Sequence, residues 1–145
     1  MKQKREREMQ YLERIRTIDG LIVDLQEDAN NWRDIAASLG CQQTDERVQS
    51  SRANNSMNAL SVALDIERDI QQLWEERKEI VNVIKSLPAP ESGVLYKKYV
   101  LGMDYYKIAD AFNNKSYSWA TSVHGSGLQM VKKVLDEMEV ENELV

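Results

Sequence analysis

The sequence predicts an all-α protein, a long antiparallel helical hairpin of coiled-coil type followed by a C-terminal helix-turn-helix. Three observations predict it. Apolar residues recur at alternating steps of four and three along two long stretches, the seam of helices that pack lengthwise. Helix breakers are sparse, with only Pro88, Pro90 and six glycines in 145 residues. After the prolines the apolar pattern breaks into short runs separated by turn residues, as in a small helical domain.

The first seam is Tyr11, Ile15, Ile18, Ile22, Leu25, Ala29, Trp32, Ala36 and Leu39. Gly20 lies inside it at a cost of about 1 kcal/mol relative to alanine, and Gly40 supplies the stop. Residues 40–55, "GCQQTDERVQSSRANN", lose the period and read as a loop. The second seam is Ala59, Ala63, Ile66, Ile70, Leu73, Arg77, Ile80, Ile84 and Leu87, with Ser56 as its N-cap. Arg77 interrupts the stripe, and "LPAPESG" ends the helix, since proline lacks a donor and disfavours helix before it. The stripes bury each other in a hairpin within one chain, or pair between two chains; the period fits both.

Beyond the prolines, Val94, Leu95, Tyr99 and Leu101 predict a short helix that stops at Gly102. Asp104 caps a second, with Ile108, Ala109 and Phe112 inward. Asn113, Asn114 and Lys115 form a turn, because asparagine tolerates left-handed backbone angles. Ser116 caps a third helix whose packed face is Ala120, Val123, Gly127, Val131 and Val134. The expected division is residues 1–87 as hairpin scaffold and dimerisation element, 88–93 as linker, 94–138 as helix-turn-helix and 139–145 as an acidic tail.

The net charge of −5 is unevenly spread. Residues 91–135 carry six lysines against Glu91, Asp104 and Asp110, a net of +3, whereas the last ten residues carry five acids and no base. A basic block of this kind is the footprint of a polyanion-binding surface. The tail reads as a solvated helix end, or as a competitor with DNA for the lysines. No run reaches the ~20 apolar residues of a membrane span, and the charged N-terminus has no apolar stretch behind it, so neither a membrane partner nor a secretory signal is expected. Cys41 is the only cysteine, which leaves no internal disulfide and no cysteine zinc site. These features predict a cytoplasmic protein with no cofactor, no metal and no catalytic constellation. His124, the lone histidine, reads as a hydrogen-bonded structural residue at the helix border.

Opposite the packed face of the third helix stand Ser118, Ser122, Gly125, Gln129 and Lys132, with Thr121 beside them. Short side chains with hydrogen-bonding ends suit the base edges of a major groove. Lys107, Lys115, Lys132 and Lys133 flank the strip, and lysines with a helix N-terminus hold phosphates and set register. The predicted DNA-binding set is Lys107, Lys115, Ser116, Tyr117, Ser118, Thr121, Ser122, Gly125, Gln129 and Lys132. Lys97, Lys98, Trp119, Arg47 and Arg52 are further candidate contacts, Trp119 first a packing residue and only second a backbone contact, and the arginines equally salt-bridge formers. Gly125 leaves room for close backbone approach to DNA, Gly127 for close helix packing.

The stretch "LYKKYVLGMDYYKIADAFNNKS" resembles region four of bacterial sigma factors, with its Ile-Ala pair and serine-capped reading helix. Together with "YLERIRTIDGLIVDLQED" and "DERVQSSRANNSMNALSVALDIERDI" it resembles the ArpU/RinA-type regulators of late gene transcription in phages and prophages, over roughly Tyr11 to Leu135. The pattern departs from that family at Gly127, where an alanine is usual. The resemblance implies a sigma-region-four-like helix-turn-helix that binds double-stranded DNA in a bacterial host. It also implies activation of phage late, packaging or lysis genes. Expected partners are DNA, a second copy or more of the chain, and RNA polymerase. A phage small terminase subunit recognising a packaging site is the principal alternative, and an interaction protein that contacts polymerase without binding DNA is another.

Overall fold

A computed structural model of the chain describes residues 5–40 and 46–143, the side chains of residues 46–52 excepted. Among the described residues the protein is all-helical and has no strand. The elements are α1 (Glu6–Gly40), α2 (Glu46–Lys85), α3 (Glu91–Leu95), α4 (Tyr105–Ala111) and α5 (Tyr117–Glu143). α3 continues without interruption into a π-helical turn, Tyr96–Val100. Every member of the α1 seam is buried or half-buried, from Ile15 and Ile18, which are fully enclosed, to the half-buried Trp32. The α2 seam behaves likewise, Arg77 included.

Two expectations for this half are corrected. Of the loop expected at 40–55, residues 46–55 are helix, because α2 begins at Glu46. Residues 46–55 are polar, but contain neither glycine nor proline, and helix can extend through a polar segment once a neighbouring seam anchors it. Ser56 is therefore not an N-cap; it lies within the helix and its Oγ donates to the Ala36 carbonyl at 2.7 Å. Cys41 lies outside the described residues, and so do the side chains of Arg47 and Arg52.

The chain forms two compact units that do not divide at the 88–93 linker. One comprises residues 18–75. Within it Arg33 grips Glu67, with Nη2 to Oε2 at 2.7 Å, and Ala29, Ala36, Ala59 and Ala63 are its small buried residues. The other comprises residues 1–17 and 76–145. The short helices after residue 90 share their core with the ends of the long helices. Val94, Ile108, Ala109 and Ala120 form their cluster, with Met103, Tyr105, Phe112, Trp119 and Val123 partly buried around it. Leu12, Ile15, Val81, Ile84, Leu95, Leu128 and Val131 add the remaining bulk to the same unit, so the start of α1 and the end of α2 belong with the C-terminal helices. Arg14 bonds Glu76 at 2.9 Å inside it.

α5 runs unbroken to Glu143, and Arg7 takes up two of its acids, with 2.9 Å from Nη2 to Asp136 Oδ1 and 3.3 Å from Nη1 to Glu139 Oε1. These two carboxylates are thus paired with the start of α1.

Candidate nucleic-acid interface

The surface is built on α4, the turn after it, and α5. Asp104 holds the start of α4, its Oδ1 accepting from the Lys107 backbone N–H at 2.8 Å. This is the side-chain cap that satisfies an amide otherwise left without a helical partner. α4 stops because Asn113 and Asn114 both turn left-handed, with φ of 62° and 57°. The Lys115 N–H then closes back on the Ala109 carbonyl at 2.9 Å. Ser116 restarts the helix, its Oγ accepting from the Trp119 N–H at 3.1 Å. All three local readings from the sequence hold: an aspartate cap, an asparagine turn and a serine cap.

α5 packs against both α3 and α4. At Gly127 it comes close to α3, since a Cβ there would lie 3.0 Å from Leu95 Cδ1 and 3.1 Å from its Cγ. The buried face of α5 is Ala120, His124, Gly125, Gly127, Leu128 and Val131, with Val123 and Val134 half-buried at its edges. The expected seam had passed through Val123, because histidine reads as polar. The observed steps from 120 through 124 and 127 to 131 keep the same four-three rhythm but are centred on His124.

His124 explains its own burial. Its Nε2 lies 2.7 Å from the Tyr99 hydroxyl and its Nδ1 lies 3.3 Å from the Tyr105 hydroxyl, so both ring nitrogens have partners. Tyr99 stacks on the imidazole from the π turn at a centroid distance of 5.6 Å. Burial, followed by the positive charges of Lys98 and Arg5, pushes the imidazole pKa down to about 4. Burial also raises the Tyr99 and Tyr105 hydroxyls above their ordinary range. The group is a neutral polar pin between α5 and the π turn.

The predicted interface residues fall into three groups. Ser118, Ser122, Gln129 and Lys132 are exposed on α5, with Lys107 exposed on α4 and Lys115 and Ser116 exposed at the turn. Thr121 and Tyr117 are partly committed. The Thr121 hydroxyl donates to the Ser118 carbonyl at 3.0 Å, and the Tyr117 ring packs on Tyr105 and on Tyr106, at 5.5 and 4.7 Å between centroids. Lys97, Lys98, Trp119 and Gly125 are turned to other uses. Lys97 Nζ sits 5.6 Å above the Phe112 ring and Lys98 Nζ sits 4.3 Å above Tyr105, both attractive cation–π arrangements. Trp119 packs beside Phe112 in the cluster. Gly125 is corrected from exposed to buried, because the guanidinium of Arg5 lies over it.

Arg5 is the residue that sequence reasoning missed. Nothing in its local context separates it from the other charges of "KQKRERE"; its proximity to α5 exists only in the fold. With Thr121, Ser122, Gly125, Ser126 and Gln129 it lines an open cleft of about 590 Å³. Ser126 Oγ at its far side donates to Glu91 Oε1 at 3.3 Å. Among the described residues no group of three or more histidine, cysteine, aspartate or glutamate side chains converges as a metal site, and no helix is long and apolar enough to cross a membrane. Comparison with protein-family models, with curated proteins and with solved structures finds no match for this chain.

Proposed function

We propose that the protein is a sequence-specific DNA-binding regulator whose α4–turn–α5 segment acts as a helix-turn-helix with α5 as the reading helix. The observation that carries the reading is the outward strip of α5: Ser118, Ser122 and Gln129 are exposed together, with Lys107, Lys115 and Lys132 exposed around them. Hydroxyls and an amide supply donors and acceptors for base edges, and the lysines supply phosphate contacts. The positive end of the α5 dipole lies beside Ser118, at the start of the strip. In this reading the protein activates late, packaging or lysis genes of a phage or prophage, as the resemblance to ArpU/RinA-type regulators implies, in a bacterial cytoplasm and with RNA polymerase as a further partner.

The unit of residues 18–75 serves as scaffold and homodimer interface. It contains only segments of two helices, yet eight of the twelve exposed large apolar side chains among the described residues belong to it, including Met57, Leu60 and Leu64 on one side of α2. Two such hairpins can bury one another's stripes as a four-helix bundle.

Selection of duplexes from a random pool at physiological salt tests the proposal. The expected product is a defined site, with half-sites about one helical turn or a multiple apart if a dimer binds. Replacing both Ser122 and Gln129 by alanine should relax its sequence preference. Affinity should fall steeply with salt, and each of Lys107→Ala, Lys115→Ala and Lys132→Ala should lower the slope of log affinity against log salt by about 1. Recovery of no enriched sequence and no salt-dependent binding to any duplex would refute the function.

A further inference from the structure

The exposed strip of α5 offers hydroxyls, an amide and lysine ammoniums, but no arginine of its own. A guanidinium reaches it from the other end of the chain. A Cβ built on Gly125 would lie 2.7 Å from one Nη of Arg5, 3.4 Å from its Cζ and 3.6 Å from the other Nη, the three nearest atoms to that point. The glycine is therefore a notch, and Arg5 fills it. The two arginines at this end of α1 have different fates. Arg7 is tied to Glu8, Asp136 and Glu139, whereas among the described residues no carboxylate pairs with Arg5, which remains exposed. Its charge is felt at His124, where it disfavours the imidazolium. An arginine laid along a groove before binding has less side-chain freedom to lose when a ligand arrives.

We propose that Arg5 is a DNA-contacting residue lent from just before α1 to the reading strip of α5, with Gly125 as its seat. The inference rests on the DNA-binding function proposed above and names a residue of that same site. The guanidinium lies over Gly125, which stands between Ser122 and Gln129 along α5, and lines one cleft with both, whereas Lys107, Lys115 and Lys132 are not among the residues lining that cleft. A central position suits a base edge, and the fork of N–H donors matches the O6 and N7 acceptors of guanine.

The test compares the full-length protein with Arg5→Ala and Gly125→Leu on two duplexes, the selected site and an unrelated sequence of equal length, by fluorescence anisotropy at fixed salt. Arg5→Ala should weaken the selected site about 10- to 100-fold, the range of a lost bidentate base contact, and the unrelated duplex about 3-fold or less. Gly125→Leu, which evicts the guanidinium from its seat, should reproduce the loss at the selected site. Thermal melts of Arg5→Ala should match the wild type, because the side chain is exposed. Equal losses on both duplexes would overturn the base assignment. Unchanged binding of Arg5→Ala, while the Ser122 and Gln129 double variant loses preference, would overturn the inference and leave the DNA-binding function standing. Absence of duplex binding by the wild type would overturn both.

Discussion

His124 should make folding stability fall with acidity in a window that no other histidine shares, since it is the only one in the chain. The ring is 6 % exposed, neutral, and bonded through both nitrogens to tyrosine hydroxyls, and its pKa is about 4 in the folded protein against the ordinary 6.5. Above pH 6.5 neither the folded nor the unfolded chain protonates it, and the full contribution of the neutral ring is present. Between 6.5 and 4 the unfolded chain takes up a proton that the folded chain refuses. Stability therefore drops as pH falls, by about 1.4 kcal/mol per pH unit. The whole excursion amounts to about 3 kcal/mol, and the part between pH 6.5 and 5 to about 2 kcal/mol. Urea unfolding at pH 6.5, 6.0, 5.5 and 5.0 measures it, with His124→Gln as reference. The variant should be less stable at every pH but lose the histidine-dependent slope. Independently, the single imidazole signal in proton NMR should hold its neutral shift down to pH 5. A folded-state midpoint near 6.5, or an identical slope in His124→Gln, would refute the argument that burial and the neighbouring cations exclude the charged ring.

Two further outcomes are expected. Replacing Asn114, at φ 57°, by alanine should cost about 1 kcal/mol in chemical unfolding, while Asn114→Gly should cost nothing or stabilise, since only the side chain's Cβ opposes that backbone angle; equal losses in both would show that the asparagine side chain, not the angle, matters. Leu60→Glu combined with Leu64→Glu places charges on the exposed side of α2 and should turn a dimer into a monomer in sedimentation without lowering helicity. A wild type already monomeric at micromolar concentration would refute the dimer interface.

The features legible in the sequence were those that depend on neighbours within a turn or two. The seams of α1 and α2 show at a spacing of three and four residues because a helix repeats its own face at that interval. The caps Asp104 and Ser116 and the turn at Asn113 and Asn114 were readable because each acts on backbone groups at most a few positions away. Even the exposed Ser118, Ser122 and Gln129 followed from the wheel of α5 alone. Where the polar code of a residue disagreed with its surroundings, the reading slipped: Glu46 to Asn55 is helix despite its polarity, and His124 is core despite its charge capacity. Tertiary structure decided the rest. It brought Tyr99 and Tyr105 to the two nitrogens of His124, tied Arg7 to the acids of α5, and laid Arg5 over Gly125. Each of these joins groups far apart in the chain, and a residue's type records what it can bond but not what the fold will set beside it.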